Sequence, residues 1–285
     1  MGKATIIIAV VAVVALVGAG VGIFVLNNQD KTPTLTVLVE DQDGVYFWAE
    51  GKGETAADAL AKTSAGVKVT MLDGSWGKYI SEVNGLKEDY TSDTCYWGLY
   101  YLDGDKWTYS DVGVSELKVS EHSTIGLFYV VSDSTTYEIK AGGPDKVTVP
   151  KVEDKRVWGG STSGTVFAIT SHTGMYFYIN GDKSGTMAER FKAATENYKI
   201  PYVEKLKDGK PNGIDKIFGE GQVKIDEDYK YWVTYVVDND AWIKAPKTIP
   251  NIEDANDYKQ MAMVYGISSM STGVDTPLPP IYKAS

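Results

Sequence analysis

The chain repeats itself, and this limits the fold more than any single motif, because a duplicated unit must fold twice with one topology. The segment Gly44–Leu60 (GVYFWAEGKGETAADAL) is matched by Gly174–Phe191 (GMYFYINGDKSGTMAERF). Tyr46-Phe47 recurs as Tyr176-Phe177, and Thr55 recurs as Thr186 after one inserted residue. Further on, Tyr96, Trp97, Tyr100, Asp103, Asp105 and Trp107 recur as Tyr231, Trp232, Tyr235, Asp238, Asp240 and Trp242. The offset drifts from 130 to 135 residues, as small loop insertions produce. The expected organisation is a first domain at 33–145, a linker at 146–164, a second, divergent copy at 165–270 and a proline-containing tail at 271–285.

Each copy has the same order of elements. An alternating hairpin (Leu35–Glu40 with Val45–Glu50; Thr165–Thr170 with Met175–Asn180) precedes a helix. Thr55 with Asp58, and Thr186 with Glu189, fit capping boxes, in which hydroxyl and carboxylate answer each other's orphan amides. Ala56, Ala59 and Leu60 share one helical face, as do Met187, Phe191 and Ala194. The Tyr-Trp strand (Tyr96–Leu102; Tyr231–Val237) and a closing strand (Thr124–Val131; Gln260–Gly266) follow. This order predicts an α+β fold: two tandem β-grasp-like domains, each a mixed sheet with one packed helix. The Tyr-Trp strand is apolar on both sides, which asks for cover on both. The helix supplies one cover, and loops rather than a ligand are expected on the other.

Residues 1–31 hold the most apolar segment. Thr5 to Leu26 runs 22 residues without a charge, and a bilayer core needs about 20. Lys3 before it orients the rest of the chain outward. An uncleaved transmembrane helix, spanning with residues 5–26, is expected. The alternatives are a cleaved signal peptide, leaving a secreted or surface-assembled protein, and a pilin-like leader. The formal net charge is −10, and Lys3 cancels Asp30 within the first 30 residues, so the acidic excess belongs to the rest. Nucleic acid is thereby excluded as a partner. One cysteine, Cys95, and two histidines, His122 and His172, rule out a disulfide framework and a Cys/His zinc cluster.

Several motifs occur in order in the first copy: the capped helix Thr55–Leu60, GKYISEVNG (Gly77–Gly85), YWGLYYLDG (Tyr96–Gly104), and a closing strand ending Leu127-Phe128-Tyr129. In these the chain resembles the transcobalamin carboxy-terminal-like domain family, found in bacterial and archaeal surface proteins, over about residues 35–131. The second copy is similar but divergent, with IDKIFG (Ile214–Gly219) where YISEVNG stands in the first. The resemblance implies a β-grasp-like fold and an exported setting. It also brings in cobalamin, which such domains close over in vitamin carriers, although no helical barrel accompanies them here.

Candidate chemistry is sparse. Asp41 and Asp43, and Asp103 and Asp105, are candidate calcium ligands, set against plain hairpin turns. His122 and His172 read as surface or turn histidines, and Cys95 as a small buried hydrophobe. The acid pairs Asp226/Asp228 and Glu253/Asp254 read as solvated turns. No catalytic signature such as GxSxG or HExxH is present, so no catalytic residue is assigned. Trp48, Trp107, Trp158 and Trp242, at strand ends or in the linker, are the candidate ligand or partner surface. The expectation is a non-enzymatic, membrane-anchored surface protein acting in binding or envelope assembly. Its partners are a surface protein, a glycan or a small molecule. Corrinoid or other small-ligand capture between the domains is the alternative, and a homo-oligomeric filament or surface-layer subunit is a further one.

Overall fold

The computed structural model describes residues 31–63, 66–158, 160, 164–225, 228–252, 258–269 and 273–283. The expected transmembrane segment and most of the Gly159–Gly164 stretch lie outside them. No helix among the described residues is long and apolar enough to cross a membrane.

The first copy places β1 (Thr34–Glu40), β2 (Tyr46–Lys52), α1 (Ala56–Leu60), β6 (Thr94–Asp103), β7 (Lys106–Tyr109) and β8 (Thr124–Ser132) around one sheet, ordered β2-β1-β8-β6-β7. β1 and β8 run parallel, with Thr36 opposite Thr124, and the other pairings on this path are antiparallel. A separate three-stranded sheet holds β3 (Val69–Gly74), β4 (Gly77–Val83) and β5 (Leu86–Lys87). β9 (Ile139–Ala141) adds to β8.

The second copy repeats this plan. β10 (Val166–Thr170), β11 (Tyr176–Asn180), β14 (Val223–Ile225), β15 (Asp228–Asp238) and β17 (Gln260–Ser269) are ordered β11-β10-β17-β15-β14. β10 and β17 are parallel, with Val166 opposite Gln260. β16 (Ala241–Lys244) pairs with β15, β18 (Gly273–Val274) with β17, and β12 (Tyr202–Lys207) with β13 (Lys210–Ile217) in a separate hairpin. The helix is α2 (Met187–Asn197).

Both capping boxes form. Thr55 Oγ1 accepts from Asp58 N at 3.2 Å while the Asp58 carboxylate accepts from Thr55 N. Thr186 and Glu189 do the same. A second shared device is a Trp-Tyr clamp. Trp97 Nε1 donates to Leu86 O at 3.0 Å and Tyr129 Oη to Lys87 O at 2.6 Å, with the rings edge-on at 5.2 Å. Trp232 donates to Glu220 O at 2.8 Å, Tyr265 donates to Gly221 O, and their rings lie 5.1 Å apart. These bonds use the polar tips of rings whose bodies are buried.

The fold class departs from the expected α+β arrangement. The protein is mostly β, with 47% of residues in strands and 9% in helices, in several sheets and no closed barrel. The β-grasp-like assignment is therefore corrected. The reason is that the helices are minor cover: α1 buries only Ala56, Ala59 and Leu60. Extended chain does the rest. Val147, Val149, Val152 and Val157 pack over Leu38, Trp48, Tyr100 and Phe128 on the outer face of the first sheet. Tyr282 packs over Val233, Tyr235 and Val264 on the outer face of the second. The tail is pinned there by Tyr178 Oη to Pro280 O (2.6 Å), Trp242 Nε1 to Pro279 O (2.7 Å) and a reciprocal pair between Gln260 and Tyr282.

The inner faces share one core. Leu35, Val37, Val39 and Leu99 of the first copy belong to the same cluster as Phe167, Ile169, Phe177 and Met263 of the second. From Thr34 onward the chain is one compact unit. Its two halves meet through equivalent residues: Phe47 stacks on Phe177 at 5.8 Å, 130 positions along the sequence. The contact is isologous, like that of a two-fold dimer.

The tight turns of both copies enter this seam. Asn84-Gly85 (φ 44° and 87°) and Phe218-Gly219 (φ 53° and 80°) both have positive φ, as two-residue primed hairpin turns require. Asn84 suits that conformation and also holds the seam. Its Oδ1 accepts from Lys68 N, and its Nδ2 donates to Gly66 O and to Tyr176 O of the other half. Phe218 does not suit it, at about 1–2 kcal/mol. Its ring is partly buried against Tyr46 (5.3 Å) and Phe177 (6.0 Å), and these edge-to-face aromatic contacts offset that cost. Asn84→Ala is expected to destabilise the protein by about 2–4 kcal/mol. Asn84→Gly, which keeps the turn and loses only the bonds, should fall between it and wild type in urea-denaturation midpoint.

Candidate functional site

Two features sit on the seam, a polar clasp and an aromatic cleft. The clasp joins the β1–β2 turn to the β10–β11 turn. Asp41 Oδ1 accepts from Asp43 N and Val45 N of its own turn, at 3.0 and 2.9 Å. Its Oδ2 accepts from Ser171 Oγ (3.2 Å) and Thr173 Oγ1 (2.9 Å) in the other half. His172 lies between two carboxylates, with Nε2 3.2 Å from Asp43 Oδ2 and Nδ1 against Glu220 Oε1. Hydrogen bonds to both carboxylates raise its pKa to about 10, so the ring is a cation at neutral pH. It sits in the β10–β11 turn, as read from the sequence, and is there a two-way donor locked in place. Ser171 donates to Asp41, and neither ring nitrogen of His172 is left to accept its proton, so Ser171 and His172 do not form a nucleophile–base pair. Burial raises the Cys95 thiol, which also argues against a thiolate. His122 instead stacks on Tyr101, ring centroids 4.0 Å apart.

Beside the clasp, Glu40 is wholly buried and neither carboxylate oxygen has a partner. Burial, then the neighbouring Asp41, pushes its pKa up to about 9, and burial raises Asp41 itself to about 6. Among the described residues no group of three or more His, Cys, Asp or Glu is placed to hold a metal ion. Of the candidate calcium ligands, Asp41 has both oxygens engaged and Asp43 faces His172. Asp103 pairs with Lys106 across the hairpin turn that contains Asp105.

The cleft opens between β2 and β11 as a narrow slot of about 20 Å³. β2 supplies Tyr46, Phe47 and Trp48; β11 supplies Phe177, Tyr178 and Ile179; Tyr198 and Ile200 follow α2. The connecting segment supplies Arg156 and Trp158, held there by a parallel bridge from Val157 to Trp48 and by Lys155 Nζ on Glu50 (2.7 Å) and Thr36 (3.0 Å). Trp158 stacks on Tyr178 at 5.1 Å and meets Tyr282 edge-on at 4.7 Å. Gly66 (φ +92°) closes one wall. A Cβ there would stand 2.2 Å from the Trp158 ring, so only glycine allows this approach.

The four candidate tryptophans are thus separated. Trp48 and Trp158, 4% and 6% exposed, line the cleft as buried walls. Trp107 and Asp105 border a different, open groove against Pro144 and Val149. Trp242 is fixed under the tail. Asp226 and the pair Glu253/Asp254 lie outside the described residues. Sequence reasoning missed Arg156, Gly66 and Tyr198. One signal pointed to the first: the chain has 28 basic residues, only two of them arginine.

Three raised pKa values set the pH dependence. A carboxyl whose folded pKa exceeds its unfolded value stabilises the fold while protonated, so Glu40's contribution is full below about 4.5 and lost as pH rises towards 9. That of Asp41 is lost between about 3.8 and 6, and that of His172 between about 6.5 and 10. Glu40→Gln is expected to flatten the fall in stability between pH 4.5 and 9 and to raise stability at pH 8 by about 1–3 kcal/mol. His172→Gln should flatten only the upper part. Urea unfolding from pH 4 to 10 measures both.

No protein-family model, no curated protein and no solved structure matches this chain.

Proposed function

We propose that this is a non-enzymatic binding protein of the outer cell surface, held by the apolar run at 5–26 and built from two copies of a transcobalamin carboxy-terminal-like unit, which captures a small molecule in the cleft on its seam. The observation that carries this reading is the cleft. It is a narrow slot whose walls are aromatic and whose polar groups are few, the lining usual for small-molecule sites. Its walls are also prebuilt: Phe47–Phe177 and Trp158–Tyr178 are stacked, and Asn84 has every polar atom bonded into the frame. A rigid site loses little side-chain entropy on binding. The chemistry at the seam supports capture rather than turnover, since the only histidine there is locked as a cation.

The test is a titration of the full chain in lipid nanodiscs with 2-naphthol, a small flat probe, read by quenching of tryptophan fluorescence. Saturable one-site binding, weakened at least tenfold by Val67→Trp, which fills the cleft from its wall, is expected. Absence of saturation, or binding that Val67→Trp leaves unchanged, overturns the reading.

A further inference from the structure

The seam cleft has a charge of its own, opposite to that of the protein. The chain carries 38 acidic residues, yet no aspartate or glutamate is among the residues that line this cleft. The single charged group on its wall is Arg156. Arginine is scarce here, and the other copy, Arg190, is spent inside the fold on Gly185 O, Thr165 Oγ1 and Lys183 O. Arg156 makes no such commitment. Among the described residues its one bond is from Nη1 to the carbonyl of the adjacent Lys155, at 2.8 Å, and it has no carboxylate partner. A guanidinium differs from an ammonium in presenting a planar fork that accepts a carboxylate bidentately and lies flat on aromatic faces.

A second polar group on the same wall is without a partner. Trp158 is nine-tenths buried and its indole N–H meets no acceptor. A buried donor left alone costs about 1–3 kcal/mol, so buried donors are normally satisfied. The other indole donors whose bonds are described, Trp97, Trp232 and Trp242, each reach a backbone carbonyl. Among the described residues, Trp158 Nε1 is the indole nitrogen that is both buried and without an acceptor, and Trp158 lines the cleft.

We propose that the ligand of the seam cleft is a small organic anion with a flat apolar body, its carboxylate held by Arg156 and an acceptor atom of its body or carboxylate held by Trp158 Nε1. The inference rests on the cleft being a ligand site, and deepens it by naming the ligand class. The flat body stacks on the walls, and the acidic exterior slows unselective capture of anions, so selectivity comes from the one fork that faces the rings.

The test uses a matched pair on the full chain in nanodiscs: 2-naphthoate and its neutral isostere 2-naphthamide, followed by tryptophan fluorescence at pH 7. Naphthoate should bind about tenfold more tightly or better. Arg156→Gln should abolish that preference by weakening naphthoate far more than the amide, and Arg156→Lys should restore only part of it. Trp158→Phe, which keeps the ring and removes the N–H, should weaken naphthoate severalfold with the fold intact by circular dichroism. Equal affinity for the two probes, or a preference that survives Arg156→Gln, overturns the anion assignment and leaves the cleft standing. No binding of either probe, or binding that Val67→Trp does not reduce, overturns the cleft reading itself.

Discussion

The stack of Phe47 on Phe177 is the contact on which the remaining architecture depends. Each copy alone presents an apolar inner face that its short helix cannot cover, and a lone sheet with one bare face is not stable in water. Setting the two edge hairpins against each other joins both inner faces into one core. The duplicated sequence makes this economical, because one set of residues supplies both sides of the contact. Asp41 lies against Ser171 and Phe47 against Phe177, each a residue meeting its own counterpart.

The outer faces are solved differently. The stretch that follows each copy turns back and lies across the sheet it has just left. After the first copy this is the segment carrying Val147 to Val157, and after the second it is Asp275 to Lys283. Extended, proline-containing chain is suited to this use, since it covers area without requiring a ladder of its own. The connecting segment has a second role. Having crossed the first sheet, it carries Trp158 to the outer face of the second, and Arg156 is held where the two sheets meet. The cover of one copy thus becomes a wall of the cleft.

Much of the local structure was legible from residue spacing. The hairpins, both capping boxes and the two Tyr-Trp strands stand where alternation and capping rules put them, because those rules depend on neighbours in sequence. The fold class was not legible, since the excess of strand over helix comes from short middle and added strands (β3–β5, β7, β9, β12–β14, β16), too short to carry a clear period. The cleft was hidden for a similar reason. Gly66, Asn84, Arg156 and Tyr198 come from four separate stretches, and no local pattern joins them. The tryptophans were found by type but not by environment: Trp48 and Trp158, which seemed surface groups, line the cleft as buried walls, and Trp242 is bonded to the tail.

Three residues near the seam carry local costs of the kind that a few other described residues also bear. Phe218 holds a positive φ that bulky residues avoid, Glu40 buries an unpartnered carboxyl, and Trp158 buries an unpartnered N–H. Phe218 is repaid by its packing on Tyr46 and Phe177. The other two have no such return within the described fold. A seam that served only to join two halves would gain from a smaller apolar residue at position 40 and from an acceptor opposite Trp158. Proteins carry uncompensated costs of this kind where function requires the group. For Trp158 the requirement is met if its donor is completed from outside the chain, and that argues for the cleft as a place where something binds.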